Sequence, residues 1–124
     1  MTLEQQLVSL ELAKKLKELG VKQESYFGWV YDPMSSLGYF VTSNSDKWEY
    51  EYSAYTVAEL GEMLPARVQK FRLQCDKAPD EKWFVSYIAF LDDDNEEIVQ
   101  FANTEANARA KMLIYLIENN HIKV

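Results

Sequence analysis

The sequence predicts an α+β fold in which three helices pack on one face of an antiparallel sheet of about five to six strands, in the order α-βββ-α-βββ-α. Three observations carry it. Apolar residues recur at helical spacing in three separated stretches, two blocks of two-residue alternation lie between them, and turn residues cut each block into consecutive short segments. Such segments pair antiparallel, because parallel neighbours need long crossovers.

The first helix has two readings of its start. Leu12, Leu16 and Leu19 share a stripe bordered by Val8 and Ala13, whereas Leu3, Leu7 and Leu10 point almost the opposite way. Ser9 as N-cap, with Glu11 in the first turn and Gly20 as the C-terminal glycine, explains that phase break and leaves Leu7 and Val8 as an extended lead-in. A start at Thr2, with Thr2 and Gln5 as a capping box, is the second reading.

From Ser25 the period changes to two. Tyr26 to Tyr31 and Leu37 to Thr42 read as a hairpin about Asp32-Pro33-Met34-Ser35-Ser36. Lys47 to Ser53 reads as a third strand, with Trp48, Tyr50 and Tyr52 on one side and Lys47, Glu49 and Glu51 on the other. Thr56 and Glu59 then have capping-box spacing before a short helix, Val57 to Leu64, which Pro65 stops. Gly61 inside it costs about 1 kcal/mol of propensity relative to Ala, so it marks close packing on a neighbour.

The second block holds Phe71 to Cys75, Trp83 to Leu91 and Ile98 to Phe101, turning at Lys77-Ala78-Pro79-Asp80 and at Asp92 to Asn95. Trp83 to Leu91 is apolar on both faces and is therefore the central strand. Thr104 caps the last helix, on which Ala106, Ala110, Leu113, Leu116 and Ile117 share a face and only Asn107, Lys111 and Glu118 form a polar strip. A helix this apolar is covered on most sides, by the sheet and by another helix or a partner chain. Self-association as a homodimer through this C-terminal helix follows as an expectation.

A chain of 124 residues makes one domain, 1–124, able to bury about two-thirds of its unfolded surface. The opening residues, MTLEQQLVSLELAKKLKELG, do not make a secretory signal, and no apolar run approaches the roughly 20 residues that span a bilayer. The expected setting is cytoplasmic, away from membranes. With 20 acidic against 13 basic residues the net charge is −7, which repels phosphate backbones and counts against direct nucleic-acid binding. Lys14, Lys15, Lys17 and Lys22 come closest to a basic patch, and they read as the solvated face and end of the first helix.

Catalytic chemistry has little to work with. Cys75 is the only cysteine and His121 the only histidine, the latter close to the C-terminus where a disordered tip is expected, so neither a cysteine zinc site nor a Ser/Cys–His pair is available. The four glycines are too scattered for a phosphate loop, and no cofactor motif is present. Asp92 to Glu97 lacks the ligand spacing and central Gly of a calcium loop and reads as an acidic hairpin turn. Arg109 falls within the apolar arc of the last helix, where it is either a structural salt-bridge residue or an anion ligand. The row Trp48, Tyr50 and Tyr52 is the candidate partner-binding surface; core and interface both remain open for it.

Three blocks, VSLELAKKLKELGV, YTVAELGEML and NTEANARAKMLIYLIEN, resemble those of small uncharacterised proteins of gut-bacterial phages, prophages and mobile elements. The resemblance spans the start, middle and end of the chain and implies a setting in the host-cell cytosol rather than a mechanism. The expected function is a non-catalytic accessory protein that binds a macromolecular partner, in the first place a protein. Two alternatives use other features: an acidic mimic of nucleic acid that inhibits a host defence protein, and a small-ligand binder with a pocket lined by Trp29, Trp83 and Arg109.

Overall fold

Ser9 decides where the chain first becomes a regular helix. In the computed structural model, which describes residues 2–34, 36, 38–43, 49–89 and 96–124 apart from the side chain of Glu96, the Ser9 side chain accepts from the Leu12 amide and opens helix α1, Leu10–Glu18. Gly20 closes it at φ +89°. The Val21 amide donates to the Leu16 carbonyl and the Gly20 amide to that of Lys17, both at 3.0 Å, which satisfies two carbonyls left over by the last turn. The second predicted start also forms, on a smaller scale. Thr2 and Gln5 exchange side-chain bonds of 2.9 and 3.3 Å, but these head only a single 3-10 turn, Glu4–Gln6. Leu7 and Val8 follow as the extended lead-in, Leu7 bridging Thr56 and Val8 donating to the Tyr55 carbonyl at 2.9 Å.

The strands divide into two antiparallel sheets rather than one. The first holds β1, Phe27–Tyr31, β2, Tyr39–Ser43, and β3, Tyr52–Ser53, in the order β2-β1-β3. The second holds β4, Arg67–Val68, β5, Phe71–Lys77, β6, Trp83–Ala89, and β7, Glu96–Ala102, in sequence order. The chain between the sheets explains the division. Ala54 and Tyr55 are buried and give their main-chain groups to Phe27 and Val8, so among the described residues no strand carries the edge of the first sheet on to the second. β4 is too short to leave a periodic signal in the sequence. β6 lies between β5 and β7, as its two apolar faces predict.

Helix α2, Val57–Met63, opens on the predicted capping box, with Thr56 and Glu59 exchanging bonds of 2.9 and 3.1 Å. Helix α3, Glu105–Glu118, opens on Thr104 and ends with Asn120 at φ +60° and the His121 amide on the Leu116 carbonyl at 2.9 Å. Ala106, Ala108, Ala110, Met112, Leu113, Ile114 and Leu116 are all buried. β6 and β7, both other helices and the 3-10 turn cover α3 within one chain. Most of the apolar surface of this helix is thus covered within the chain, with Tyr115 and Ile117 half-buried.

Candidate functional site

The predicted row of aromatic residues does not exist as a row. Trp48 lies outside the described residues, and Tyr50 and Tyr52 take opposite faces of the first sheet. Tyr52 stands opposite Trp29 in the register. The Glu51 amide also donates to the Trp29 carbonyl, at 2.9 Å, so two residues of this segment face one residue of β1. Such a bulge reverses the alternation beyond it. Tyr50 consequently lies over Gly28, on the face away from Trp29, where a Cβ on that glycine would overlap the tyrosine ring. Its hydroxyl donates to the Gln23 carbonyl at 3.2 Å and accepts from the Ser25 amide at 3.4 Å. Tyr50 is thus tied to the chain's own backbone on that face.

Tyr52 belongs instead to a tyrosine ladder across the first sheet. The hairpin closes with the Asp32 amide on the Gly38 carbonyl at 2.7 Å, and this places Tyr31 directly opposite Tyr39. Their rings meet edge to face at 5.4 Å, and Tyr39 lies 6.1 Å from Tyr52. Helix α1 supplies the upper rim. Lys14 stands 5.2 Å from the Tyr39 ring and 5.8 Å from that of Tyr52, and Lys17 stands 5.2 Å from Tyr52. Lysines three apart on a helix share a side, so both reach the same rings; each such contact is worth about 0.5–1 kcal/mol at an exposed site.

Glu51 ties the ladder to the helix. Its carboxylate accepts from the Tyr39 hydroxyl at 3.0 Å and its carbonyl from Lys17 Nζ at 2.8 Å. Desolvation, with the Glu51 carboxylate adding to it, pushes the Tyr39 phenol up to about 12. The inner end is fixed, since Trp29 Nε1 donates to the Val8 carbonyl at 3.2 Å within the core. The outer end is open: Tyr31 is 55% exposed, and Lys14 and Lys17 are exposed. The result is a rigid aromatic surface with cations along one rim.

Arg109 is held as a structural residue. It lies 3.7 Å from the Glu105 carboxylate one turn earlier, their side chains only 20% and 23% exposed, and donates to the Val57 carbonyl at 3.4 Å. Gly61 provides its space, because a Cβ there would overlap Arg109 Nη1. Arg109 Nε is buried without a hydrogen-bond partner. Cys75 borders this group, and burial pushes its thiol up despite the opposing pull of Arg109. Tyr87 donates to the Pro65 carbonyl at 2.7 Å, and burial pushes its phenol up to about 12, with Cys75 adding to the rise. A protonated thiol and a protonated phenol make an inert group at neutral pH.

The other sequence candidates are dispersed. Trp83 lines a hollow of about 420 Å³ with Lys77, Val57 and Glu105, whereas Trp29 is tied down in the first sheet. His121, expected at a disordered tip, stacks on Tyr115 at 6.2 Å. The calcium reading of Asp92 to Glu97 falls largely outside the described residues. Among the described residues no His, Cys, Asp and Glu converge as a metal site, and no helix is long and apolar enough to cross a membrane.

Sequence reasoning missed Tyr31, Tyr39 and Lys14 as members of one surface. The hairpin register was the available signal, since closing the turn at Asp32 and Gly38 sets Tyr31 across from Tyr39. Nothing local announced the bulge at Glu51. Comparison with protein-family models, with curated proteins and with solved structures gives no match to this chain.

Proposed function

We propose that this chain is a non-catalytic binding protein that docks a protein partner on the Tyr31–Tyr39–Tyr52 ladder and its Lys14 and Lys17 rim. The single observation that carries the reading is the internally braced ladder, half-buried at Tyr39 and Tyr52 and open to solvent at Tyr31. Its tyrosines present large amphipathic area with little conformational freedom left to lose, the property that makes tyrosine common at interfaces. The lysine rim, on a chain with net charge −7, selects a partner segment that brings carboxylates beside apolar groups. The resemblance to phage and prophage proteins supports an accessory role in the cytosol of a bacterial host, where that partner would be a host protein.

The test is capture from host lysate with the wild-type chain and with a Tyr31→Ala, Lys14→Glu double variant. Both substitutions lie at the solvent side of the ladder, so the variant is expected to melt near the wild-type temperature while losing the captured protein. A partner retained equally by a folded double variant would show that binding happens elsewhere.

A further inference from the structure

The second sheet ends in an edge that matches itself. The Ala78 amide donates to the Lys82 carbonyl at 2.7 Å, which fixes the phase of the β5–β6 ladder. Alternation then turns the main-chain groups of Trp83, Val85, Tyr87 and Ala89 toward β7, and those of Glu97, Val99 and Phe101 away from β6, to a side where no strand pairs among the described residues. Lys111 confirms the phase independently, since its Nζ reaches the Phe101 carbonyl at 3.0 Å from outside the sheet.

The side chains of these three residues share the face opposite the core. Glu97 pairs across from Ile88, Val99 from Ser86 and Phe101 from Phe84, with the Phe84 and Phe101 rings 6.0 Å apart. Phe101 is 49% exposed. An apolar stripe therefore runs up to an edge with which no strand pairs among the described residues and whose Phe101 carbonyl takes Lys111.

We propose that a second copy of this chain docks there, β7 against β7, antiparallel about a two-fold axis at Val99. That axis places Val99 opposite the Val99 of the partner copy, and Glu97 opposite the Phe101 of the partner copy, at both ends. Charge complementarity selects this occupant. Phe101 borders a hollow of about 450 Å³ whose charged lining is Lys82, Lys111 and Glu11, two cations to one acid, so Glu97 at one end of β7 meets a net positive lining at the other end of its mate, twice. The Phe101 carbonyl has a second lone pair, and Lys111 need not leave it for a strand to pair. This surface lies on the second sheet and leaves the tyrosine ladder of the first sheet open, so the two readings stand or fall separately.

The experiment is sedimentation of the full chain over a concentration series, with amide hydrogen exchange read at Glu97, Val99 and Phe101. The wild type is expected to form a dimer in which those amides gain protection as concentration rises. Val99→Pro removes only a donor that points outward, a position where edge strands tolerate proline, and should give a folded monomer. Glu97→Lys and Lys111→Glu should each weaken the dimer by about tenfold or more, and the double variant should recover it. The charge variants decide the matter even if the proline variant fails to fold. A wild-type chain monomeric throughout the series would overturn the proposal, as would a dimer indifferent to Glu97→Lys.

Discussion

Tyr87 shows how one side chain links burial to a measurable property. Burial, with Cys75 adding to it, holds its phenol neutral and pushes its folded value up to about 12 against an ordinary 10. A group that binds its proton more tightly in the folded state contributes stability that is whole below the unfolded value and is lost as pH rises through the folded one. Tyr39, also raised to about 12, adds to the same window. Melting temperature should therefore fall between about pH 10 and pH 12, and Tyr39→Phe with Tyr87→Phe should flatten that fall. An unchanged slope in the double variant would show that neither phenol is linked to folding. None of this was legible in the sequence, because a tyrosine in an alternating strand has the same local signature whether its hydroxyl meets water or a buried carbonyl.

Helix α2 shows which features of an element are local. Its start was legible, since Thr56 and Glu59 sit at the spacing a capping box requires and need no other part of the chain to form it. Gly61 was legible as an anomaly, but the group it makes room for comes from α3, far along the sequence. The cost of that glycine is expected to depend on Arg109. In wild type, Gly61→Ala gains about 1 kcal/mol of helix propensity and loses a comparable amount by displacing the guanidinium. In an Arg109→Ala background only the gain remains, so denaturant titration should find Gly61→Ala more favourable there by about 1 kcal/mol. Equal effects in the two backgrounds would mean that the glycine does not serve the arginine. β3 shows the opposite case: its alternation was plain to read, yet the bulge at Glu51 separated the residues that alternation had grouped.

At the scale of the molecule, α3 packs on β6 and β7 of the second sheet and against both other helices, while α1 packs on β3 of the first. Leu116 is fully buried in a core that also takes in Trp29 of the first sheet and Val85 of the second. Leu116→Ala should cost about 2–5 kcal/mol. It should do so in one cooperative step, with the near-ultraviolet signal of the tryptophans and the far-ultraviolet signal lost together. Two separated transitions would show instead that the sheets are stable independently.

What the sequence determined by itself is what nearest neighbours decide. Caps at Ser9, Thr56 and Thr104, the stop at Gly20, the turn after Tyr31 and the two apolar faces of Trp83 to Ala89 all depend on groups a few residues apart, and residue types at fixed spacing are enough to specify them. The tertiary structure alone decided the split into two sheets, the parting of Tyr50 from Tyr52 and the joining of Tyr31, Tyr39 and Tyr52 beneath Lys14. Each depends on where main-chain hydrogen bonds go between distant segments, and every residue carries the same donor and acceptor whatever its side chain, so the one-dimensional pattern holds no record of that choice.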